Sequence, residues 1–403
     1  MNNYSRNSNK INVVCTNTLV QAKIIHKKSR KYTSPMAFRK HMLTSDMFYD
    51  KVNLYCEKEA CKVGNTFMRE STDYINKFIS DAVAKGTRTA VLTGNFEIDK
   101  AIRIPSDFTL VLDDCHIRLA DGCYSNVFVN EKFDTDDGKT KDGRDKNIKI
   151  LGKGRAIIDG GNYNGLSEKT PADKRPAPLW NNNLILFANV DGFEIKNIHC
   201  RNQRWWALNF FACSNGRISD IDFRASDIMI DKDGNIYHGL SRENGLDVLV
   251  KNADGIDLRR GCHDIVIENI TGFTEDDTIA LTAIEGGYED YFNAPDAENG
   301  IYNITIRNVR ASSFCTIVRL LNQGGMTLHD INIDNVYDMC ESCEYLDKGL
   351  YAVRLGDERL YGASYPTADM TYNISIKNVY GRGLQPVVLY GEYTNVVTEN
   401  INS

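Results

Sequence analysis

No run in the 403-residue chain reaches the roughly 18 consecutive apolar residues of a membrane span, so no transmembrane segment is expected. The start, MNNYSRNSNKINVVCTNTL, lacks the succession of charged, apolar and small residues that marks a secretion leader. A cytoplasmic location is the expectation, with secretion left open. Clustered basic charge is missing too: the net charge is −6 with both signs spread along the chain, which argues against a nucleic-acid partner and favours a neutral or weakly charged ligand. Eleven scattered cysteines supply neither a dense disulfide framework nor paired zinc-site spacing, and Cys340-Glu-Ser-Cys343 is a lone CxxC. Reduced, mostly buried thiols and no bound metal are expected.

What the chain does have is repetition. With 42% hydrophobic residues it can bury a sizeable core. Short β-branched segments recur: NIKILGKG (147–154), GFEIKNI (192–198), GRISDIDF (216–223), DIVIENI (264–270), NITIRNV (303–309), DINIDNV (330–336) and NISIKNV (373–379). Each alternates apolar and polar residues as a strand with one buried face does. From Ile195 to Ile218 is 23 residues and from Ile306 to Ile333 is 27, while Ile333 to Ile376 is 43, read as two units. Strand-bearing periods of this size predict a parallel β-solenoid whose coils bury their inward faces by stacking. A leucine-rich repeat would show Leu-x-x-Leu-x-Leu, and a β-sandwich would show regular Asn-Gly or Asp-Gly hairpin turns; neither is present. Asn197, Asn269, Asn308, Asn335 and Asn378 recur at one position and are expected to be structural, because asparagine tolerates the left-handed conformation and bonds to neighbouring backbone.

Ahead of the coils, Ile75, Phe78, Ile79, Ala82 and Val83 fall on one helical face and Gly86 ends the run, which predicts an α-helix covering the open end of the solenoid. The expected organisation is an all-β parallel β-solenoid over 61–403, preceded by a partly ordered extension over 1–60. Charged, glycine-bearing stretches at 131–146, 227–245 and 285–300 read as loops protruding from it.

The stretch from Lys251 to Ala283 holds Asp254, Asp257, Glu275, Asp276 and Asp277 on two segments about one coil apart. Clustered carboxylates on neighbouring coils can divide acid and base roles through unequal pKa values. Both Asp276 and Asp277 can face one cleft only if a turn or bulge separates them, since adjacent strand residues point to opposite faces.

From about Lys62 to Val388 the chain resembles glycoside hydrolase family 28, the polygalacturonase-like right-handed parallel β-helices. Asn252-Ala253-Asp254 is similar to that family's Asn-Thr-Asp motif, Asp276-Asp277 to its Asp-Asp motif, and Arg319-Leu320-Leu321 to its Arg-x-Lys motif with the lysine lost. No histidine lies between His263 and His329, where the family's Gly-His-Gly element is expected, and Tyr288 falls in that neighbourhood. The resemblance implies inverting hydrolysis of a glycosidic bond without a cofactor, with Asp276 as general acid and Asp254 and Asp277 holding and deprotonating the water. It implies Arg319 as a substrate-binding residue; Asn252, Asp257, Arg204, Trp205, His238 and Tyr288 are the further binding candidates, Trp205 as a sugar-stacking surface. An intracellular enzyme of this kind would meet short oligosaccharides, so exo-action on a carbohydrate substrate is expected. Any homo-oligomer would form through the sides of the β-helix. A lyase, an epimerase or a transferase on the same scaffold, or a non-catalytic glycan-binding solenoid, are the alternatives.

Overall fold

The computed structural model describes residues 51–55, 66–161, 171–203, 205–225, 228–230, 236–238, 254–339, 350–357 and 364–403. Most of the span 1–60 lies outside these residues, as do most of the 227–245 loop and the Cys340–Cys343 pair. Two parallel sheets run the length of the molecule. One has twelve strands, from Lys51–Tyr55 at one end to Thr394–Asn402 at the other; the second has nine, from Ile102–Ile104 to Gln385–Leu389. The chain alternates between them, one long strand and one short strand to a coil, which makes a single-stranded right-handed parallel β-helix.

Isoleucine columns fill the interior. Ile150, Ile195, Ile218, Ile267, Ile306, Ile333 and Ile376 pair directly from coil to coil, and none is more than 1% exposed. Full burial of each stabilises by about 1.5–3 kcal/mol, and each finds its partners only in the coils above and below. The direct pairing of Ile333 with Ile376 corrects the reading of that interval as two units: it is one coil with a long connection.

Each long strand bends at a residue in the left-handed region. Asn197, Asn269, Asn308, Asn335 and Asn378 have φ of 55°, 57°, 57°, 60° and 54°, as the sequence led us to expect of that ladder. Their amides hydrogen-bond along the stack, Asn308 Nδ2 to Asn269 Oδ1 at 3.1 Å and Asn335 Nδ2 to Asn308 Oδ1 at 2.9 Å. A second ladder, Asn303, Asp330 and Asn373 among its members, takes the same conformation at the other bend. The predicted cap is the helix Thr72–Ala84, which buries Ile75, Ile79 and Ala82 against the first strands, and Gly86 follows it with φ of 77°. The 285–300 stretch contains a short helix, Gly287–Phe292. No helix among the described residues is long and apolar enough to cross a membrane. The described cysteines, Cys115, Cys123, Cys200, Cys213, Cys262 and Cys315, are all free and buried or half-buried.

Candidate active site

Two neighbouring short strands and the turn leading into the second carry the carboxylates. In Asp254–Arg259 and Ile279–Ala283, Ile256 pairs with Ile279, Asp257 with Ala280 and Arg259 with Thr282. Carried back two residues, that register sets Asp254 beside Asp277, and the Gly255 N–H donates to the Asp277 carbonyl at 3.0 Å. Asp276 and Asp277 lie in the turn between Thr274, where one strand ends, and Ile279, where the next begins. This is the break in alternation that two adjacent functional aspartates require. The turn is fastened from inside: Thr274 Oγ1 and Ser313 Oγ both donate to the Asp276 carbonyl, at 2.8 and 2.7 Å.

Burial and mutual repulsion set the protonation of this group. Asp254 and Asp257 are 5% and 1% exposed and hydrogen-bond to each other, which requires a shared proton. Burial pushes both well above the ordinary carboxylate range, and for Asp254 the charges of Asp257, Asp276 and Asp277 add to the rise. Against burial, the Arg259 guanidinium is the main counterweight at Asp257. Arg259 is itself held by Glu289 at 2.6 Å and lies 4.4 Å from the centre of the Trp206 ring. Asp276 is half-buried, and burial together with the charge of Asp277 pushes it up to about 7. Asp277, raised by burial as well, is drawn back by Arg319, whose Nη1 lies 3.5 Å from its Oδ2.

The Cys315 thiol lies beside both Asp276 and Asp277, with one proton to donate to either. Among the described residues these three form the one set of acidic or sulfur donors whose ligating atoms lie within 4.8 Å of one another. A thiol binds metal as thiolate. Here burial and the two carboxylates push its pKa far up, so the set suits a proton-holding network better than a cation site.

The structure brings Asp254, Asp257, Asp276, Asp277 and Arg319 together. Trp205 has to be corrected: it is 1% exposed, stacked on Trp206 with ring centres 3.8 Å apart, so it fills the corner instead of offering a face to sugar. Tyr288 sits on the short helix with its ring edge-on to Trp205 and Trp206, at 5.2 and 6.0 Å, and Trp206 is the register partner of Asp254. It therefore stands one side chain away from the carboxylates. Asn252 and Arg204 lie outside the described residues; His238 ends a small hairpin, with its side chain outside them.

Sequence reasoning missed Cys315, Arg354 and Asp357. Arg354 is the register partner of Arg319 on the next coil, and Asp357 follows it by three residues. Asp357 accepts from Arg319 Nη2 through Oδ2 and from Arg354 Nη2 through Oδ1, both at 2.6 Å. The Arg-x-x-Asp spacing was the available signal. Ala280, between Asp257 and Arg319 in this column, is small enough to let Arg319 reach across to Asp277.

No curated protein matches the sequence. Among solved structures, the chain is similar to an exopolygalacturonase from Thermotoga maritima, at 11% identity over 88% of each chain with a TM-score of 0.50. It is similar also to a 1,3-α-1,4-β-D-galactose-4-sulfate-3,6-anhydro-D-galactose-2-sulfate 4 galactohydrolase, at 13% identity over 92% of this chain and 91% of that one with a TM-score of 0.55. At such identities the likeness speaks to the fold. The model of Glycosyl hydrolases family 28 matches residues 97–290, a span holding Asp254, Asp257, Asp276 and Asp277, and the chain is a glycoside hydrolase similar to that family over this part of its length.

Proposed function

We propose that the protein hydrolyses a glycosidic bond of a pectin-like or related oligosaccharide with inversion. Asp276 protonates the leaving oxygen, and Asp277 with Asp254 holds and deprotonates the water. The observation that carries this reading is the unequal state of neighbouring carboxylates: Asp276, pushed up to about 7 by burial and by Asp277, can keep a proton, while Asp277 has the Arg319 guanidinium at 3.5 Å to favour its charge. Asp276 keeps some exposure, as an acid that must reach the leaving oxygen does. Asp254 is within hydrogen-bond reach of Asp257, which can take or return a proton as the water is activated. The water must fit between acid and base, an arrangement that gives inversion.

Proton NMR of the first product from short galacturonate, rhamnose, galactose and fructose oligosaccharides tests this. The expected signal is the anomer opposite to the substrate's. Retention of configuration, or an unsaturated product absorbing in the ultraviolet, would overturn the assignment of roles.

A further inference from the structure

Asp357 pairs with Arg319, whose guanidinium would otherwise be open to an external carboxylate. Arg319 directs one guanidinium nitrogen to Asp277 and the other to Asp357, and Asp357 turns its second oxygen to Arg354. Side chains of Arg319, Asp357 and Arg354 are only 11%, 10% and 13% exposed. Arg354 in turn lies 5.6 and 5.5 Å from the ring centres of Tyr351 and Tyr390. The two arginines are thus braced against an internal carboxylate, bidentate across the pair, and to admit an external one the protein would have to expel a largely buried partner.

Beside this group opens a cavity of about 540 Å³, and Asp357, Tyr365, Tyr390 and Glu392 are among its walls. Its size suits one or two sugar rings. Neither arginine belongs to its described lining, which holds no cation to meet an anion, and Glu392 adds a carboxylate to that of the arginine-paired Asp357. The same carboxylates accept hydrogen bonds from sugar hydroxyls, and tyrosine faces pack against sugar C–H surfaces. Tyr365, at 54% exposed, presents such a face to the opening.

Resting on the glycosidase reading above, we propose that the enzyme takes a neutral sugar, not a uronate, into the cavity bordered by Asp357, and that Asp357 sets this preference by bridging Arg319 and Arg354 from within, Asp277 supplying the second negative charge. Arg319, Arg354 and Asp357 all lie beyond residues 97–290, so this part of the site belongs to the portion of the chain outside the family match.

The test compares α-1,4-trigalacturonate with α-1,4-trigalactose, which differ in a carboxylate against a hydroxymethyl group on each ring. Binding is read by calorimetry on the full chain carrying Asp276→Asn, and turnover on the unmodified protein. At least tenfold tighter binding of the neutral trimer is expected. Adding Asp357→Ala should shift the ratio at least tenfold toward the uronate, and Tyr365→Ala, which leaves the arginine pair intact, should weaken the neutral trimer alone. Preference for the uronate in the unmodified protein overturns the proposal while leaving the glycosidase reading standing. So does an unchanged ratio in a folded Asp357→Ala variant, and so does a failure of both trimers to bind. Tight neutral binding without any hydrolysis would sink the glycosidase reading and keep the cavity.

Discussion

The Gly255 amide donates to the Asp277 carbonyl at 3.0 Å, and this single bond ties the residue next to Asp254 to the second member of the Asp276–Asp277 pair. The two halves of the carboxylate cluster are thereby tied to each other through main chain. Such support suits a site whose charges repel one another.

That contact explains the glycine. A Cβ added at Gly255 would meet the Thr278 carbonyl oxygen at 2.3 Å and the Phe223 ring at 3.1 Å, so alanine there must push the coils apart. Gly255→Ala is expected to destabilise by about 1–3 kcal/mol, typical of overpacking. It should also lower kcat/KM, because a shift of about 1 Å at reacting groups can reduce rate on the order of a hundredfold. Thermal unfolding and steady-state kinetics on one preparation check both. Full activity with an unaltered melting temperature would show that the coil spacing is not fixed here.

Activity should fall as pH rises through about 7, since Asp276 must be protonated to act as the acid. Asp276→Asn should lower kcat by about 10²–10⁴ on an alkyl glycoside. The loss should be much smaller on an aryl glycoside with an acidic leaving group, which needs no protonation. Equal loss on both substrates would remove Asp276 from the acid role.

Stability should fall in the same direction of pH for the same residue. The folded pKa of Asp276 lies above its unfolded value, so its favourable contribution is complete below about 3.9 and is lost as pH rises through about 7. Each unit of that interval is worth about 1.4 kcal/mol before coupling to its neighbours. Asp276→Asn, fixed in a neutral form, is therefore expected to be more stable than the unmodified protein at pH 8 and no more stable at pH 4. Denaturant midpoints at the two values decide the matter, and a variant that is weaker at both would contradict the raised pKa.

Much of this architecture was legible because β-helix stacking writes itself as spacing. The marker isoleucines form one buried column and the recurrent asparagines sit at one bend, since both positions are fixed by the backbone of a coil and not by its loops. Where a connection varies, counting fails. Ile333 to Ile376 passes for two periods although the residues pair directly, and Arg354 follows Arg319 by 35 residues where Ala280 follows Asp257 by 23. The contact of Asp357 with Arg319 was hidden for that reason: it is set by sheet register across a connection of irregular length. The burial of Trp205 was likewise decided by what covers the outer face of its coil, which period alone does not state.

Cys315 offers a test of how finely the acid is set. Its thiol has one proton to donate to Asp276 or to Asp277, and a donor to the charged form lowers a carboxyl pKa. Cys315→Ala should raise both, moving the alkaline limb of the pH–rate profile upward for Asp276 and the acidic limb upward for Asp277. Cys315→Ser, which keeps a hydroxyl donor, should leave both limbs closer to their original places. If the alanine and serine variants share one displaced profile, the effect is packing and not the thiol proton.

The asparagine ladder separates hydrogen bonding from backbone conformation. Asn308 has φ of 57° and joins Asn269 and Asn335 through its side chain, at 3.1 and 2.9 Å. Asn308→Gly removes the two hydrogen bonds but accepts the left-handed conformation freely, whereas Asn308→Ala removes the same bonds and adds a steric penalty of roughly 1–2 kcal/mol. Alanine should therefore be the more destabilising replacement by about that margin, despite glycine's larger loss of entropy on folding. The difference in urea midpoint between the two variants measures it directly. Because every long strand bends at an equivalent residue, glycine proving the worse replacement would mean that the stack is held chiefly by stiffness of the unfolded chain, and the ladder would lose its structural role.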